Sequence, residues 1–400
     1  MAVMTTFESL GVERQFIDKL KERSITKPTA IQGLVIPRLL EKKNVIFRSE
    51  TGTGKTFAYL LPALQQIAAD NGKLLICAPT LELCSQIKAE IEFLTDLPSA
   101  LLIGSANLDR QIDSMKKTKP AVIVGNPGRL FVLAKMGKLK FKDLCFLIMD
   151  EADRLTSQEC IEDTKGLLSF IEREVKRNSD NPQNLCLAAC SATVSEKTGT
   201  QLGRLFSSSE IIESSDHEIL RERIEHWAFF SEKRRKVQML RSLLAALKEK
   251  KSRIKALVFT SRNDEAGKIL SQLQYHSYSA AGLFGKVNGK PQTGAQRKAS
   301  LDLFREGKID ALVSTDLAAR GLDIAGITHV VALDVPQDSE VYIHRCGRTG
   351  RAGKRGVMIT IGDETQMRLL SSLEKKLKIR VFPKELHHGQ VCAPLAETDD

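Results

Sequence analysis

Two tandem α/β domains, each a mostly parallel sheet covered by helices on both faces, are predicted from three features of the sequence. Short continuous apolar runs alternate with amphipathic stretches through most of the chain, the pattern of strands buried on both faces. A polar break at Ser214-Ser215-Asp216 divides that series in two. The length of 400 residues suits two domains, each able to bury its own core. The expected limits are 1–214 for the first domain, 215–223 for a linker, 224–385 for the second domain and 386–400 for a short, frayed tail.

With 42% hydrophobic and 27% charged residues, the composition excludes a disordered chain. A net charge of +11 favours a polyanionic partner, and aromatics at 5% argue for backbone contacts over a base-stacking platform. The eight cysteines show no Cys-x-x-Cys spacing, which argues against a zinc site. Several lie inside apolar runs, as buried free thiols of a reducing compartment do. The start of the chain lacks a basic region followed by an apolar core, and no run is long enough to span a bilayer, so a cytoplasmic location is expected.

Taken in order, residues 7–32 predict a helix over 12–23, a turn at Lys27-Pro28-Thr29 and a second helix opened by Ala30-Ile31-Gln32. The first strand series follows at 45–47, 74–77, 101–103, 121–124, 144–149, 185–189 and 211–212. After its first run comes Ser49-Glu50-Thr51-Gly52-Thr53-Gly54-Lys55-Thr56, then a helix-like segment from Phe57. A strand, a glycine-rich turn ending in Lys-Thr and a helix form the context of a phosphate-binding loop. Gly52 and Gly54 let backbone N–H groups converge on phosphate oxygens, Lys55 reaches the terminal phosphates, and the Thr56 hydroxyl suits a Mg²⁺ ligand position. The strict pattern opens with Gly or Ala where this chain has Ser49, and a Gly-Thr turn before a surface lysine is the alternative.

Ligands of such sheets bind at the carboxyl ends of the strands, so the following loops are where chemistry is expected. They read Pro79-Thr80-Leu81-Glu82-Leu83, Asn126-Pro127-Gly128-Arg129, Asp150-Glu151-Ala152-Asp153 and Ser191-Ala192-Thr193. An acidic pair ending an apolar strand is costly unless compensated, and a Mg²⁺-nucleotide on the neighbouring loop supplies the compensation. Asp150 then holds the Mg²⁺ shell and Glu151 polarises the attacking water. A helix N-terminus rich in acidic residues would explain either one singly.

The second series, at 224–230, 256–259, 311–313, 330–333 and 357–361, has no phosphate loop. It carries Ser314-Thr315-Asp316 through Arg320-Gly321-Leu322-Asp323, and later His344-Arg345-Cys346-Gly347-Arg348-Thr349-Gly350-Arg351. Arg345, Arg348 and Arg351 recur every three residues, which on a helix start puts their guanidinium groups on one side. A solvated basic face is the default, but the two glycines weaken an exposed helix and point to close backbone approach to a ligand. A first half that binds ATP-Mg²⁺ and a second that brings Arg348 and Arg351 to its γ-phosphate describe a cleft that closes.

From Phe7 to about Pro383 the chain resembles the DEAD-box RNA helicases, whose motifs occur here in their usual order: Asp150-Glu151-Ala152-Asp153, Ser191-Ala192-Thr193 and the array from His344 to Arg351. The resemblance implies two RecA-like domains, ATP and Mg²⁺, RNA-dependent hydrolysis and local separation of short RNA duplexes. It implies that Glu50, Thr51, Gly52, Thr53, Gly54, Lys55 and Thr56 hold the phosphates, with Lys55, Asp150, Glu151, His344, Arg348 and Arg351 in the catalytic set and Thr56 and Asp150 at the metal. By the same resemblance Gln32 bonds the adenine edge beside Pro28, Phe7 packs on the ring, Gly321 and Asp323 take the ribose, and Ser191 and Thr193 link hydrolysis to RNA binding. Thr80, Gly104, Gly128, Arg129, Arg297 and Thr315 are implied to lie along the RNA backbone, which makes binding largely independent of base sequence.

Several positions depart from the family pattern. Ser24 replaces Gly, Leu81 replaces Arg, Ser105 replaces the second Gly of a pair, Asn126 replaces Thr and Gly294 replaces Gln, while the loop 288–293 carries an extra residue. Most of these fall on the RNA side, and Leu81 is expected to lack a phosphate contact that an arginine would make. An ATP-dependent RNA clamp with weak unwinding, and a DNA translocase, are the competing readings.

Overall fold

The computed structural model describes residues 5–48, 53–178, 185–191, 202, 206, 208–213, 222–249, 254–287, 290–319, 324, 326–350 and 354–394. The chain divides into two compact units, Met1–Ser215 and Asp216–Asp400.

The first unit opens with α1 (Arg14–Glu22) and α2 (Ala30–Leu40). Ser24, just beyond α1, has φ +60°, a left-handed conformation that explains why glycine suits this position. Thr29 caps α2 in a full capping box: its hydroxyl accepts from Gln32 N at 3.4 Å, and Gln32 Oε1 accepts from Thr29 N at 2.9 Å.

Strands and helices then alternate: β1 (Val45–Arg48), α3 (Lys55–Asp70), β2 (Lys73–Cys77), α4 (Leu81–Leu94), β3 (Ser99–Leu102), α5 (Leu108–Thr118), β4 (Val122–Gly125) and α6 (Pro127–Lys135). They continue with β5 (Leu144–Met149), α7 (Ala152–Leu155), α8 (Ile161–Asn178), β6 (Cys186–Ser191) and β7 (Glu210–Glu213). The seven strands form one parallel sheet in the order β3-β4-β2-β5-β6-β1-β7. Strand side chains alternate between two apolar layers: Val45, Phe47 and Ile76 pack with residues of α1 to α4, and Ile46, Leu75 and Cys77 with residues of α5 to α8. All seven predicted runs lie in or overlap these strands.

The second unit contains β8 (Ile224–Phe230), β9 (Ala256–Thr260), β10 (Ala280–Leu283), β11 (Lys286–Val287), β12 (Lys290–Pro291), β13 (Ala311–Thr315), β14 (His329–Ala332), β15 (Gly356–Gly362) and β16 (Val381–Pro383). Seven of them form a parallel sheet in the order β10-β13-β9-β14-β15-β8-β16, and β11 and β12 pair as a short antiparallel ribbon. Leu257 and Phe259 join a layer with helices 294–305, 339–346 and 364–377, whereas Ala256 and Val258 join one with helices 236–249 and 263–275.

Two sheet strands escape the apolar-run reading. β10 is Ala-Ala-Gly-Leu, too small-sided to register as a run, and β16 is a three-residue edge strand with two exposed positions. The tail expected to fray from Leu386 is corrected: β17 (Glu385–His387) and β18 (Gln390–Cys392) form a hairpin. Leu386 and Val391 hold it by packing on the layer that contains Leu240 and Leu244.

Candidate functional site

The carboxyl ends of β1, β6 and β5 lie side by side in the first sheet. Beyond β1, Gly54 adopts φ +89° as the residue that enters α3, so Lys55 and Thr56 open that 16-residue helix. A helix N-terminus of this length presents unpaired N–H groups and a positive dipole end, both suited to phosphate. Gln32 Nε2 donates to the Gly54 carbonyl at 3.1 Å, and a Cβ at position 54 would lie 2.5 Å from that nitrogen. Residues Glu50, Thr51 and Gly52 lie outside the described residues, as do Thr193, Gly321, Asp323 and Arg351. Thr53 is partly buried at the loop's end, and Pro28 is partly buried just before the α2 cap. Ser191 ends β6 opposite Arg48 of β1 and is 1% exposed.

Asp150 follows β5 and is 4% exposed. Its Oδ2 accepts from the Tyr59 hydroxyl at 2.8 Å, and its Oδ1 accepts from the Cys190 thiol and from Glu151 N, each at 2.8 Å. Burial first, and the Asp150 charge second, push the Tyr59 phenol and the Cys190 thiol well above their ordinary pKa values, so both remain protonated donors. These donors are neutral: they orient the carboxylate without cancelling its charge. A buried carboxylate in that state fits a divalent cation, and Thr56 lies three residues before Tyr59 on the same helix. Among the described residues no cluster of three or more His, Cys, Asp or Glu could hold a metal ion. Glu151 sits at φ +50° as the residue entering α7, an unfavourable conformation for a side-chain-bearing residue, with Arg154 Nη1 3.8 Å from its Oε2.

Phe7 was expected against the adenine ring. It is instead 1% exposed inside the core layer with Phe16 and Ile31, where its ring is used for packing.

The residues expected on RNA follow the other half of the sheet, β3, β4 and β2. Thr80 caps α4, its hydroxyl accepting from Leu83 N at 3.2 Å. Leu81 is partly buried and packs on the first core layer, which leaves it a packing residue. Asn126 caps α6 by accepting from Arg129 N at 3.3 Å, the service a threonine would perform, so this departure is locally neutral. Gly104 is exposed, with room for a side chain, whereas a Cβ on Gly128 would lie 2.9 Å from Asp163 Oδ2. The Arg129 guanidinium is engaged within the protein: it donates to Gln111 Oε1 at 2.8 Å, to the Gly104 carbonyl at 3.0 Å and to the Ala106 carbonyl at 2.9 Å. It therefore braces the loop after β3 against the start of α6.

In the second unit Thr315 ends β13 and is 4% exposed. Arg297 lies in the first turn of helix Gly294–Arg305, which is capped by a Thr293/Gln296 box, and Gly294 is its first residue. The arginine array needs correction. Helix Ser339–Cys346 contains Arg345 and ends with Gly347 as the C-cap, so Arg345 and Arg348 are not on one helical face, and Arg351 lies outside the described residues. Arg345 is 1% exposed, and its Nε and Nη2 donate to Asp316 Oδ1 and Oδ2 at 2.6 and 2.7 Å. Its Nη1 donates to the Asp334 carbonyl at 2.9 Å, and Asp334 Oδ1 lies 2.8 Å from Nη2. Arg348, beyond the cap, is 5% exposed and donates through Nε to the His344 carbonyl at 3.3 Å.

Sequence reasoning missed the Tyr59 and Cys190 contacts and the Arg345 ion pairs. Tyr59 lies four residues after Lys55, a same-face spacing on a helix that was available as a signal. Nothing local links Cys190 to Asp150, 40 positions earlier.

The DEAD/DEAH box helicase model matches residues 29–201, and the helicase conserved C-terminal domain model matches residues 235–353. The chain is 32% identical over 380 residues to the DEAD-box ATP-dependent RNA helicase CshA of Geobacillus kaustophilus, covering 94% of this chain and 77% of that one. It is 34% identical over 385 residues to the ATP-dependent RNA helicase CshA of Listeria monocytogenes, covering 95% and 70%. The structure is also similar to that of Mss116p bound to ssRNA and AMP-PNP, with a TM-score of 0.83 and 25% identity over 96% of this chain and 80% of that one. With the phosphate-loop helix, the acidic pair and two parallel sheets in place, the chain belongs to the DEAD-box ATP-dependent RNA helicases.

Proposed function

We propose that the protein couples RNA-stimulated ATP hydrolysis to local separation of RNA duplexes or remodelling of RNA–protein assemblies. The observation that carries this is the order of the first sheet: β5-β6-β1, which lead into the nucleotide residues, lie beside β3-β4-β2, which lead into the RNA residues. One rigid sheet then spans both ligands, and Ser191 with Thr193 links them.

In this reading Lys55 and the N-terminus of α3 bind the terminal phosphates together with Glu50, Thr51, Gly52, Thr53 and Gly54. Thr56 and Asp150 would hold Mg²⁺, which when bound offsets the phosphate charge. Glu151 accepts the proton of the attacking water. Arg348 and Arg351 serve as arginine fingers on the terminal phosphate, with His344 supporting Arg348. Gln32 reads the adenine edge, and Gly321 and Asp323 take the ribose. Thr80, Gly104, Gly128, Arg297 and Thr315 meet the RNA backbone, while Arg129 keeps the Gly104 loop in shape. The cytoplasm is the compartment that fits eight free thiols and the absence, among the described residues, of a helix able to cross a membrane.

The test is steady-state ATPase with RNA and with DNA of equal length. Stimulation by RNA, accompanied by strand release from a short duplex, is the expected result. Equal stimulation by DNA would favour a translocase, and RNA binding without strand release a clamp.

A further inference from the structure

We propose that Tyr59 and Cys190 are positioning residues that set the Asp150 carboxylate for the Mg²⁺ of a bound nucleotide. The inference rests on the ATP-site reading above and concerns how this chain presets its own ligands.

Three elements converge on one carboxylate. Tyr59 comes from α3, one turn beyond Lys55 and Thr56; Cys190 is the penultimate residue of β6; Asp150 follows β5. Both carboxylate oxygens are engaged, Oδ2 by the Tyr59 hydroxyl and Oδ1 by the Cys190 thiol and Glu151 N, each at 2.8 Å. The Tyr59 hydroxyl thereby ties the first turns of α3, which carry Lys55 and Thr56, to the Asp150 carboxylate. Tyr59 and Cys190 are 0% exposed, which denies these bonds to competing water and holds the donors in single rotamers.

The chemistry of the donors matters as much as their geometry. An arginine or lysine in either place would orient Asp150 but neutralise it, and the cation would gain less. Phenol, thiol and amide donors fix the carboxylate plane and leave its charge for the metal. Outer groups of this kind commonly change metal affinity by about 10- to 100-fold when removed. Because both residues also belong to the core layer with Phe47 and Ile148, simple space-filling is the competing account. Space-filling makes no distinction between magnesium-dependent and magnesium-free nucleotide binding.

The experiment titrates Mg²⁺ into the full chain with a fluorescent methylanthraniloyl-ADP, alongside a series in chelator and a thermal melt. Tyr59→Phe and Cys190→Ala should each raise the Mg²⁺ concentration for half-maximal binding by about 10-fold or more. Binding in chelator should be unchanged, and Cys190→Ser, which retains a donor, should recover most of the Mg²⁺ response. Should Cys190→Ala fail to fold, Tyr59→Phe and the serine variant still decide the matter. An unchanged Mg²⁺ midpoint in Tyr59→Phe, or an equal loss with and without Mg²⁺, overturns the proposal. Wild-type binding that ignores Mg²⁺ altogether, with Asp150→Asn likewise silent, overturns the ATP-site reading beneath it.

Discussion

The Gln32 side-chain amide joins the cap of α2 to the entry of α3: Nε2 donates to the Gly54 carbonyl at 3.1 Å while Oε1 accepts from Thr29 N at 2.9 Å. A residue expected to read adenine is thus also a strut of the phosphate loop. Gln32→Ala should lower ATP and ADP affinity, relax discrimination against GTP, and cost about 1 kcal/mol of stability through the lost cap. Nucleotide titrations and a melting curve on the same sample check this. A loss of base selectivity with undiminished affinity would detach Gln32 from the loop.

Glu151, proposed as the base for the attacking water, has a left-handed backbone at φ +50°. Glu151→Gln should keep nucleotide binding and reduce hydrolysis by several orders of magnitude, because the water loses its base. Glu151→Gly should be equally inactive yet no less stable, since glycine occupies that conformation without the penalty. Near-normal turnover in the glutamine variant would remove Glu151 from the chemistry.

For Leu81 the structure favours the packing account, because its side chain rests on the first core layer. Leu81→Arg should therefore lower the melting temperature, with a cost of about 1–3 kcal/mol, and leave the salt dependence of RNA affinity alone. A gained phosphate contact would instead steepen the slope of log affinity on a single strand by about 0.7.

Arg345 is buried with Asp316 and Asp334, so it belongs to the framework of the second unit. Arg345→Met strands two carboxylates and should cost about 3–5 kcal/mol. Circular dichroism melts are the measurement. Full stability with lost turnover would return Arg345 to the ligand.

Burial lowers the pKa of His329, at the start of β14, from 6.5 to about 4. The unfolded chain then binds more protons than the native one between those values, so stability falls as pH drops from about 6.5 to about 4. The loss attributable to this group reaches up to roughly 3 kcal/mol. Denaturant midpoints measured across that range should flatten in His329→Gln. An identical pH profile in the variant would assign the acid sensitivity to other groups.

The sequence by itself determined the fold class and the chemistry of the nucleotide loops, because both are written locally. An apolar run of β-branched and aliphatic residues records a strand buried on both faces, and Gly54-Lys55-Thr56 records a loop that must approach a ligand closely. The small-sided strand Ala280–Leu283 and the hairpin around Leu386 and Val391 left no such record, since their stability comes from the surfaces they cover. Tertiary structure alone decided what each polar side chain does. Sheet order, which no local pattern encodes, brings Cys190 beside Asp150, turns Arg129 back onto the Gly104 and Ala106 carbonyls and seats Arg345 between Asp316 and Asp334. A hydrogen-bonding group's role depends on which partners the folded chain leaves within about 3 Å, and strand order sets those partners.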